Sequence, residues 1–302
     1  MYLLLGDPQD LCCQGVRFLL ERGGYRVQLS ANPLAAPWRF SWRLDNEGSI
    51  SQLALQGEPA EAGSAIDGVL VRNAGWIDPA GWQPDDLAYM QMESRAALLA
   101  WLWSLPCPVI NRYPPEIWYQ PQRPVLAWQS LLDRCGLPTA ECVLTNDEQE
   151  ARLFGQRLAR RMAPGAVYGA LTSQRRYLLS GEEDWAGLLA MQRYAPVYLS
   201  DPHGAVRAAC VVEENVVWKG QPSPELSRLE GAMVSLAAAA GLAFVELSFA
   251  TTSTGLCVVD VQPTPLLENY APSERQKIVE LLANLLTAKD GMDRLARREG
   301  RS

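Results

Sequence analysis

The sequence predicts an α/β domain followed by a mixed α+β body. The chain opens with an apolar run, MYLLLG, then a segment with helical spacing that stops at Gly23-Gly24, then a second apolar run, YRVQLS. This order is typical of a βαβ unit. Further along, short apolar runs alternate with turn residues and occasional helices, as in antiparallel hairpins. With 302 residues, 48% of them hydrophobic, the chain can bury the cores of two or more domains or lobes.

The first 111 residues form the predicted α/β domain. After the opening βαβ unit it contains a hairpin, a buried strand, a long helix and a short strand, in that order: residues 38–56, DGVLVRN (67–73), about 85–105 and PCPVIN (106–111). The boundary falls at Arg112-Tyr-Pro-Pro, because a residue before proline is disfavoured in a helix.

Residues 112–302 form the predicted α+β body, with a smaller lobe over about 120–200 and a larger lobe over about 201–290. The predicted helices are 124–135, 147–161, 225–240 and 273–289. The predicted strands are 137–146, AVYGAL (166–171), RRYLLS (175–180), APVYLS (195–200), AVRAACVVEE (205–214), NVVWKG (215–220), LAFVELSFA (242–250) and LCVVDVQ (256–262).

Charge and composition exclude several classes of protein. A net charge of −7 and a pI near 5.0 argue against a non-specific binder of nucleic acid or anionic membranes. No apolar run approaches the roughly 20 residues of a membrane span, and MYLLLGDPQD has no basic leader, so we expect a cytoplasmic protein. The seven cysteines include no CxxC pair, which predicts core residues rather than disulfides or a zinc site.

Two further enzyme classes are poorly supported. The turn after the first strand reads GDPQD instead of GxGxxG, so a hydride-transfer enzyme that binds NAD ranks last among the alternatives. His203 is the single histidine and lies in a turn-like segment, SDPHGAV. A Ser-His or Cys-His nucleophilic site would have to use it, and the turn gives no support for that role.

The segment CVVDVQPTP carries two oxygen donors at the end of an apolar strand. Side chains at i and i+2 of a strand lie on the same face, so Asp260 and Gln262 are expected side by side. Two oxygens on one rigid edge suit a hard cation such as Mg²⁺. The alternative from these residues alone is a strand end with a solvated Asp and Gln.

Several segments together resemble one family. They are, in order, DGVLVRN, Glu93 on a helix, PVINRYP, GLPTAECVLTND, AVRAACVVEENVVW and GLAFVELSFATTSTGLCVVDVQPTP. This series, over residues 67 to 286, resembles the ATP-grasp superfamily, and in particular its glutamate ligases and ribosomal-peptide macrocyclising ligases. The first 66 residues resemble part of the N-terminal pre-grasp domain of that family.

The resemblance implies an ATP-dependent carboxylate–amine ligase that uses Mg²⁺ and acts on a small molecule or a peptide. Its metal ligands would be Glu246, Asp260 and Gln262, and Arg207 takes the place of a family arginine in the catalytic site. Each of the three metal positions is a substitution: Glu for the usual Asp, Asp for Glu, and Gln for Asn. Oxygen-donor chemistry is kept, although Mg²⁺ tolerates little displacement of a ligand.

The nucleotide side departs further from the family. Lysine occurs only at positions 219, 277 and 289, whereas the family places phosphate-binding lysines where this chain has Arg123 or Val125 and, on a later strand, Gly169. Arginine also binds phosphate, so Arg123 with Arg175 or Arg176 is the predicted replacement. The alternative for Arg175 and Arg176 is a solvated hairpin tip. Tyr198 lies in the hinge where the family presents an acid to adenine, and backbone contacts remain possible there.

The rival hypothesis is a non-catalytic module with the same fold that uses neither ATP nor Mg²⁺ and binds a peptide or a partner protein. The missing lysines, the altered hinge and tryptophans in turn-like segments favour it, since exposed aromatics suit interfaces. The tryptophans expected in accessible turns are Trp38, Trp76, Trp82 and Trp118. Their alternative is ordinary core packing. If this hypothesis is correct, side chains such as Tyr168 or Tyr198 should fill the space near Gly169.

Overall fold

The computed structural model of the chain places the described residues in three four-stranded sheets and one separate hairpin. The described residues are 1–35, 39–45, 48–54, 66–115, 118, 123–161, 166–169, 176–192, 194–201 and 204–288. Trp38, Arg175 and His203 lie outside them, and Arg176 is described for its backbone alone.

The first domain is built on a parallel sheet. Its strands and helices are β1 (Tyr2–Leu5), α1 (Leu11–Arg22), β2 (Val27–Ser30), the hairpin β3 (Arg39–Asp45) and β4 (Gly48–Ala54), β5 (Gly68–Val71), α2 (Pro84–Ser104) and β6 (Val109–Ile110). The sheet order is β2-β1-β5-β6, with every pair parallel. The opening βαβ unit and the hairpin therefore form as predicted. Asp10 begins α1 by accepting a hydrogen bond from the backbone N–H of Cys12.

The small lobe is an antiparallel sheet with helices on one face. Its elements are β7 (Cys142–Thr145), α4 (Glu148–Arg160), β8 (Ala166–Gly169), β9 (Arg176–Leu179), α5 (Glu182–Gln192) and β10 (Val197–Ser200). The strand order is β7-β10-β8-β9. Phe154 of α4 and Leu188 of α5 pack against Val197 and Leu199, so the side chains that alternate with these two point to the opposite face.

The large lobe is a second antiparallel sheet, in the order β12-β11-β13-β14. Its elements are α3 (Val125–Arg134), β11 (Val206–Val212), β12 (Asn215–Trp218), α6 (Pro224–Ser227), α7 (Glu230–Ala239), β13 (Phe244–Thr252), β14 (Gly255–Gln262) and α8 (Pro272–Thr287). One face buries Ala209, Val211, Leu247 and Phe249 against α3, α6 and α7. At one end of the other face, Cys210 and Phe244 join α1 and α8 in a core shared with the first sheet.

Two helical segments differ from the sequence prediction. Residues 225–240, predicted as one helix, form the separate helices α6 and α7, with Arg228 and Leu229 between them. Helix α5 was missed altogether. Its start is fixed by Asp184, whose carboxylate accepts hydrogen bonds from the backbone N–H groups of Ser180 and Gly181.

Two side chains connect the first domain to the strands of the large lobe. Asn111, which has a positive φ of 59°, donates to the carbonyls of Phe244 and Pro263 and accepts from the N–H of Phe244. Arg72 pairs with Asp10 at 2.7 Å and donates to the carbonyl of Pro265 at 2.6 Å. These contacts hold the start of β13 and the segment after β14 in place.

Membrane insertion by a helix finds no support in the described part of the chain. None of the helices there combines the length and the hydropathy that a bilayer crossing requires.

Candidate functional site

The large-lobe sheet brings Glu246, Asp260 and Gln262 onto one face. In the antiparallel ladder of β13 and β14, Glu246 lies opposite Gln262, and Ser248 lies opposite Asp260. Residues directly opposite one another in such a ladder have side chains on the same face. All four residues are partly buried, and we call them the carboxylate face.

Tyr270 orients the partly buried carboxylate of Glu246. Its hydroxyl donates to Glu246 Oε2 at 2.7 Å and lies 3.3 Å from the thiol of Cys210, which donates to it. Tyr270 is 3% exposed, so this hydrogen bond is shielded from water. Sequence reasoning missed Tyr270, although it follows the Pro-Thr-Pro turn in the segment LLENY. It missed Ser248 as well, which the strand spacing from Glu246 would have placed on this face.

The electrostatics of the face favour a cation. Burial raises the pKa of Glu246, and the negative charge of Asp260 raises it further, while the Tyr270 hydrogen bond and the charge of Lys219 oppose the rise. Two neighbouring carboxylates with an amide provide the oxygen donors that suit Mg²⁺, and a bound cation would offset their repulsion. In the described parts of the chain, no group of three or more His, Cys, Asp or Glu side chains is placed to hold a metal. The carboxylate face differs from such a group, because its candidate ligands are two carboxylates and one amide.

Arg207 lies on the opposite face of the same sheet. It is paired with Phe249, whose side chain is fully buried against α3 and α7 on the side away from Glu246. Arg207 is exposed near the start of β11. The register therefore separates it from the carboxylate face, on which the sequence analysis expected it to act.

Arg123 packs against a helix end. Its guanidinium donates to the carbonyl of Ala240, the C-cap residue that follows α7, at 3.2 Å, and it lies 5.5 Å from the ring centre of Trp128. A cation at a helix C-terminus is favoured by the helix dipole. Trp128 and Ala240 belong to the core on the face away from Glu246, so Arg123 is also positioned on that side.

Tyr198 stands beside Gly169 in the small-lobe sheet. The two residues are paired across β10 and β8, and Tyr198 is 3% exposed. Its hydroxyl accepts a hydrogen bond from Gln129 of α3 at 2.8 Å, and the same amide accepts from the Cys142 thiol. A buried aromatic ring thus occupies the sheet face at the position where the family resemblance implies a phosphate-binding lysine.

The other residues expected near the nucleotide are placed differently. Tyr168 lies in the core against α4 and α5, on the sheet face away from Tyr198, and stacks on Tyr177. The backbone of Arg176 pairs with Gly169. Of the two side chains named for the space near Gly169, Tyr198 therefore lies beside it, whereas strand alternation turns Tyr168 to the opposite face.

Of the tryptophans expected in accessible turns, Trp76 and Trp82 are 51% and 42% exposed. Trp118 is partly buried and donates from its indole N–H to the carbonyl of Tyr113, against the core of the first domain. It is therefore a packing residue, contrary to the expectation, because its N–H finds a partner and its ring finds apolar contacts.

A parallel first sheet followed by two antiparallel lobes, with carboxylates on one face of the second, defines an ATP-grasp fold. The macrocyclase MdnC from Microcystis aeruginosa MRC, bound with precursor peptide MdnA, matches with a TM-score of 0.71 and 15% identity, over 94% of this chain and 98% of that chain. The ATP-grasp ligase PsnB, complexed with a minimal precursor, matches with a TM-score of 0.75 and 16% identity, over 95% and 98%.

A third solved structure is similar to the same degree. It is a RiPP-associated ATP-grasp ligase from Chryseobacterium gregarium in complex with ADP and a leader and core peptide, with a TM-score of 0.71 and 14% identity, over 95% of this chain and 96% of that chain. No protein-family model and no curated protein sequence matches the chain. At these identities the structural likeness shows that the chain has the fold of the ATP-grasp ligases.

Proposed function

We propose that this protein is related in function to ATP-dependent carboxylate–amine ligases and that its substrate is a peptide. The observation that carries the proposal is the carboxylate face, where Glu246 and Gln262 lie opposite each other and Asp260 lies two residues away. The solved structures with this fold include ligases complexed with precursor peptides, one of them also with Mg and ADP, which supports peptide, Mg²⁺ and nucleotide as ligands.

Glu246, Asp260 and Gln262 would hold the metal ion. When bound, Mg²⁺ supplies positive charge that stabilises phosphoryl transfer from ATP to a carboxylate. Tyr270 holds Glu246 Oε2 by its hydrogen bond, which leaves Oε1 for the cation. The hydrogen bond also favours the ionised form of Glu246, the form that a metal requires.

A second candidate function is a non-catalytic module that binds a peptide or partner protein without ATP. The arrangement of Tyr198 against Gly169 favours it, because a buried ring stands where the resemblance implies a phosphate-binding lysine. The contact of Arg123 with the end of α7 also favours it, since that guanidinium donates a hydrogen bond to a helix carbonyl. Buried phosphates need cationic partners, because removing their charge from water without compensation is costly.

Calorimetric titration with Mg-ATP separates the two functions. The ligase-type proposal predicts saturable binding to the wild type that is lost in Asp260→Asn, a substitution that keeps the shape of the side chain and removes its charge. Glu214→Gln, in the exposed turn between β11 and β12, is the matched control and should bind as the wild type does. A folded wild-type protein that takes up no Mg-ATP would contradict the ligase-type proposal and support the non-catalytic module.

Turnover is tested by ADP release from Mg-ATP, with and without peptides that contain acidic side chains. Release that depends on such a peptide and is lost in Asp260→Asn supports the ligase. Binding of these peptides with no ADP release supports the module.

A further inference from the structure

The carboxylate face extends across the whole large-lobe sheet. Ala208 pairs with Ser248, and the backbone N–H of Lys219 donates to the carbonyl of Ala208 at 2.8 Å, which continues the β11–β12 ladder by one residue beyond Trp218. Lys219, Ala208, Ser248 and Asp260 therefore form one row across four strands. Since paired residues share a face, Lys219 lies on the same face as Glu246.

The next row on the same face lies deeper in the molecule. It consists of Val217, Cys210, Glu246 and Gln262, and its first two members are buried in the core that the large lobe shares with α1 and α8. Two residue pairs further along the ladder, Lys219 is exposed, Ser248 and Asp260 are partly buried, and Ala208 is buried. The row that contains Lys219 thus emerges from the edge of that core.

Small side chains separate the two charged ends of this row. Ala208 and Ser248 stand between Lys219 and Asp260, and three strand spacings place the backbones of these two charged residues about 14 Å apart. The row therefore forms a trough with the Lys219 ammonium, on a flexible four-carbon stem, at one end and the carboxylate of Asp260 at the other. Such a trough can accommodate an anionic group between the lysine and a cation bound by the carboxylates.

Three other basic side chains near the large-lobe sheet lie on its other face or have partners elsewhere. Arg207 is on the opposite face, and Arg123 contacts the end of α7. Arg72 stacks over Phe244 but is paired with Asp10. The positive charge of Lys219, by contrast, lowers the pKa of Glu246 and so favours its ionised form.

We propose that Lys219 is a phosphate-binding residue of this site, whose ammonium receives the phosphate oxygens of a nucleotide bound over the trough. This inference rests on the proposed ligase-type function and deepens it, because it assigns the cationic partner that the missing upstream lysines would otherwise provide. The lysine reaches the ligand from β12 of the large lobe instead of from the small lobe.

The test is calorimetric titration of Mg-ADP into wild type, Lys219→Gln and Lys219→Arg. We expect Lys219→Gln to weaken Mg-ADP binding by about 10- to 100-fold, the effect of losing a hydrogen bond to a charged group, and Lys219→Arg to restore most of it. Lys277→Gln, at an exposed lysine of α8, is the matched control and should leave binding unchanged. Thermal melting verifies that each variant is folded.

The outcomes separate this inference from the proposed function. Equal Mg-ADP affinity of wild type and Lys219→Gln would overturn the role of Lys219 and leave the ligase-type function standing. A folded wild type that binds neither Mg-ADP nor Mg-ATP would overturn both. Binding of Mn²⁺ without nucleotide should survive Lys219→Gln and be lost in Asp260→Asn, because the lysine contacts phosphate and the aspartate contacts metal.

Discussion

At the scale of single residues, the site depends on keeping the partly buried carboxylate of Glu246 ionised. Burial raises the pKa of Glu246, and the hydrogen bond from Tyr270 is the largest opposing influence. The sequence was sufficient to select Asp260, to which strand alternation and the family resemblance both point, and Glu246, to which the resemblance alone points. It gave no indication of Tyr270, whose approach to Glu246 depends on how the chain turns after β14.

Tyr270→Phe tests this hydrogen bond. Without the hydroxyl, the pKa of Glu246 should rise further, so a bound metal competes with a proton over a wider range of pH. We expect the pH at which Mn²⁺ binding is half-maximal to move upward, as measured by electron paramagnetic resonance. Tyr89→Phe, at an exposed tyrosine of α2, is the control. An unchanged midpoint in Tyr270→Phe would show that Tyr270 acts only in packing.

Glu246→Gln tests whether this carboxylate reduces stability. A carboxyl whose pKa is raised in the folded state contributes stability below its ordinary pKa, and that contribution is lost as the pH rises through the raised value. Glutamine still accepts from Tyr270 and is never charged. In metal-free buffer the Tm of Glu246→Gln should therefore exceed that of the wild type near neutral pH, with a smaller difference at acidic pH. A lower Tm near neutral pH would contradict this explanation.

At the scale of elements, a register shift in the β13–β14 ladder places Asp260. Ser248 pairs with Asp260, but the next residue, Phe249, pairs with Val258, so Val259 is an extra residue in β14. This bulge lets Val258 face the core while Asp260 faces the opposite side. Alternation in CVVDVQ was enough to predict that Asp260 and Gln262 share a face. It could not predict the bulge, because that depends on which residues of β13 lie opposite.

Asn111→Ala tests what holds these strands in register. Asn111 makes three hydrogen bonds, of 2.8, 2.8 and 2.9 Å, to Phe244 and Pro263. Their loss, together with alanine in a left-handed backbone conformation, should lower the free energy of unfolding by about 2–4 kcal/mol. Urea denaturation measures this. Asn215→Ala, at an exposed asparagine of β12, should cost less than about 1 kcal/mol, and an equally small effect at position 111 would contradict the role of Asn111.

At the scale of the whole molecule, the first domain and the large lobe share a core. Leu4 and Val16 of the first domain pack with Cys210 and Phe244 of the large lobe in one cluster. The sequence predicted the order of the sheets and the α/β start, because both depend on local patterns. It could not predict this shared core or the positions of Arg123 and Arg207, because contacts between distant segments decide them.

Asp10→Ala tests the connection between these parts. Asp10 is the partly buried partner of Arg72, whose side chain is 5% exposed and also reaches the carbonyl of Pro265. Removing the carboxylate leaves a buried guanidinium without its counter-charge, and we expect a loss of about 3–5 kcal/mol in the free energy of unfolding. Glu21→Ala removes an exposed partner of Arg17 and should cost less than about 1 kcal/mol. Similar losses in the two variants would contradict this role of Asp10.

The most direct test of the central claim is a titration of Mn²⁺, as a substitute for Mg²⁺, into the protein with ADP present, followed by electron paramagnetic resonance. If the carboxylate face is a metal–nucleotide site, the wild type should bind Mn²⁺ and the Asp260→Asn variant should leave it free in solution. Mn²⁺ that remains free with the folded wild type, or that binds Asp260→Asn equally well, would contradict the claim.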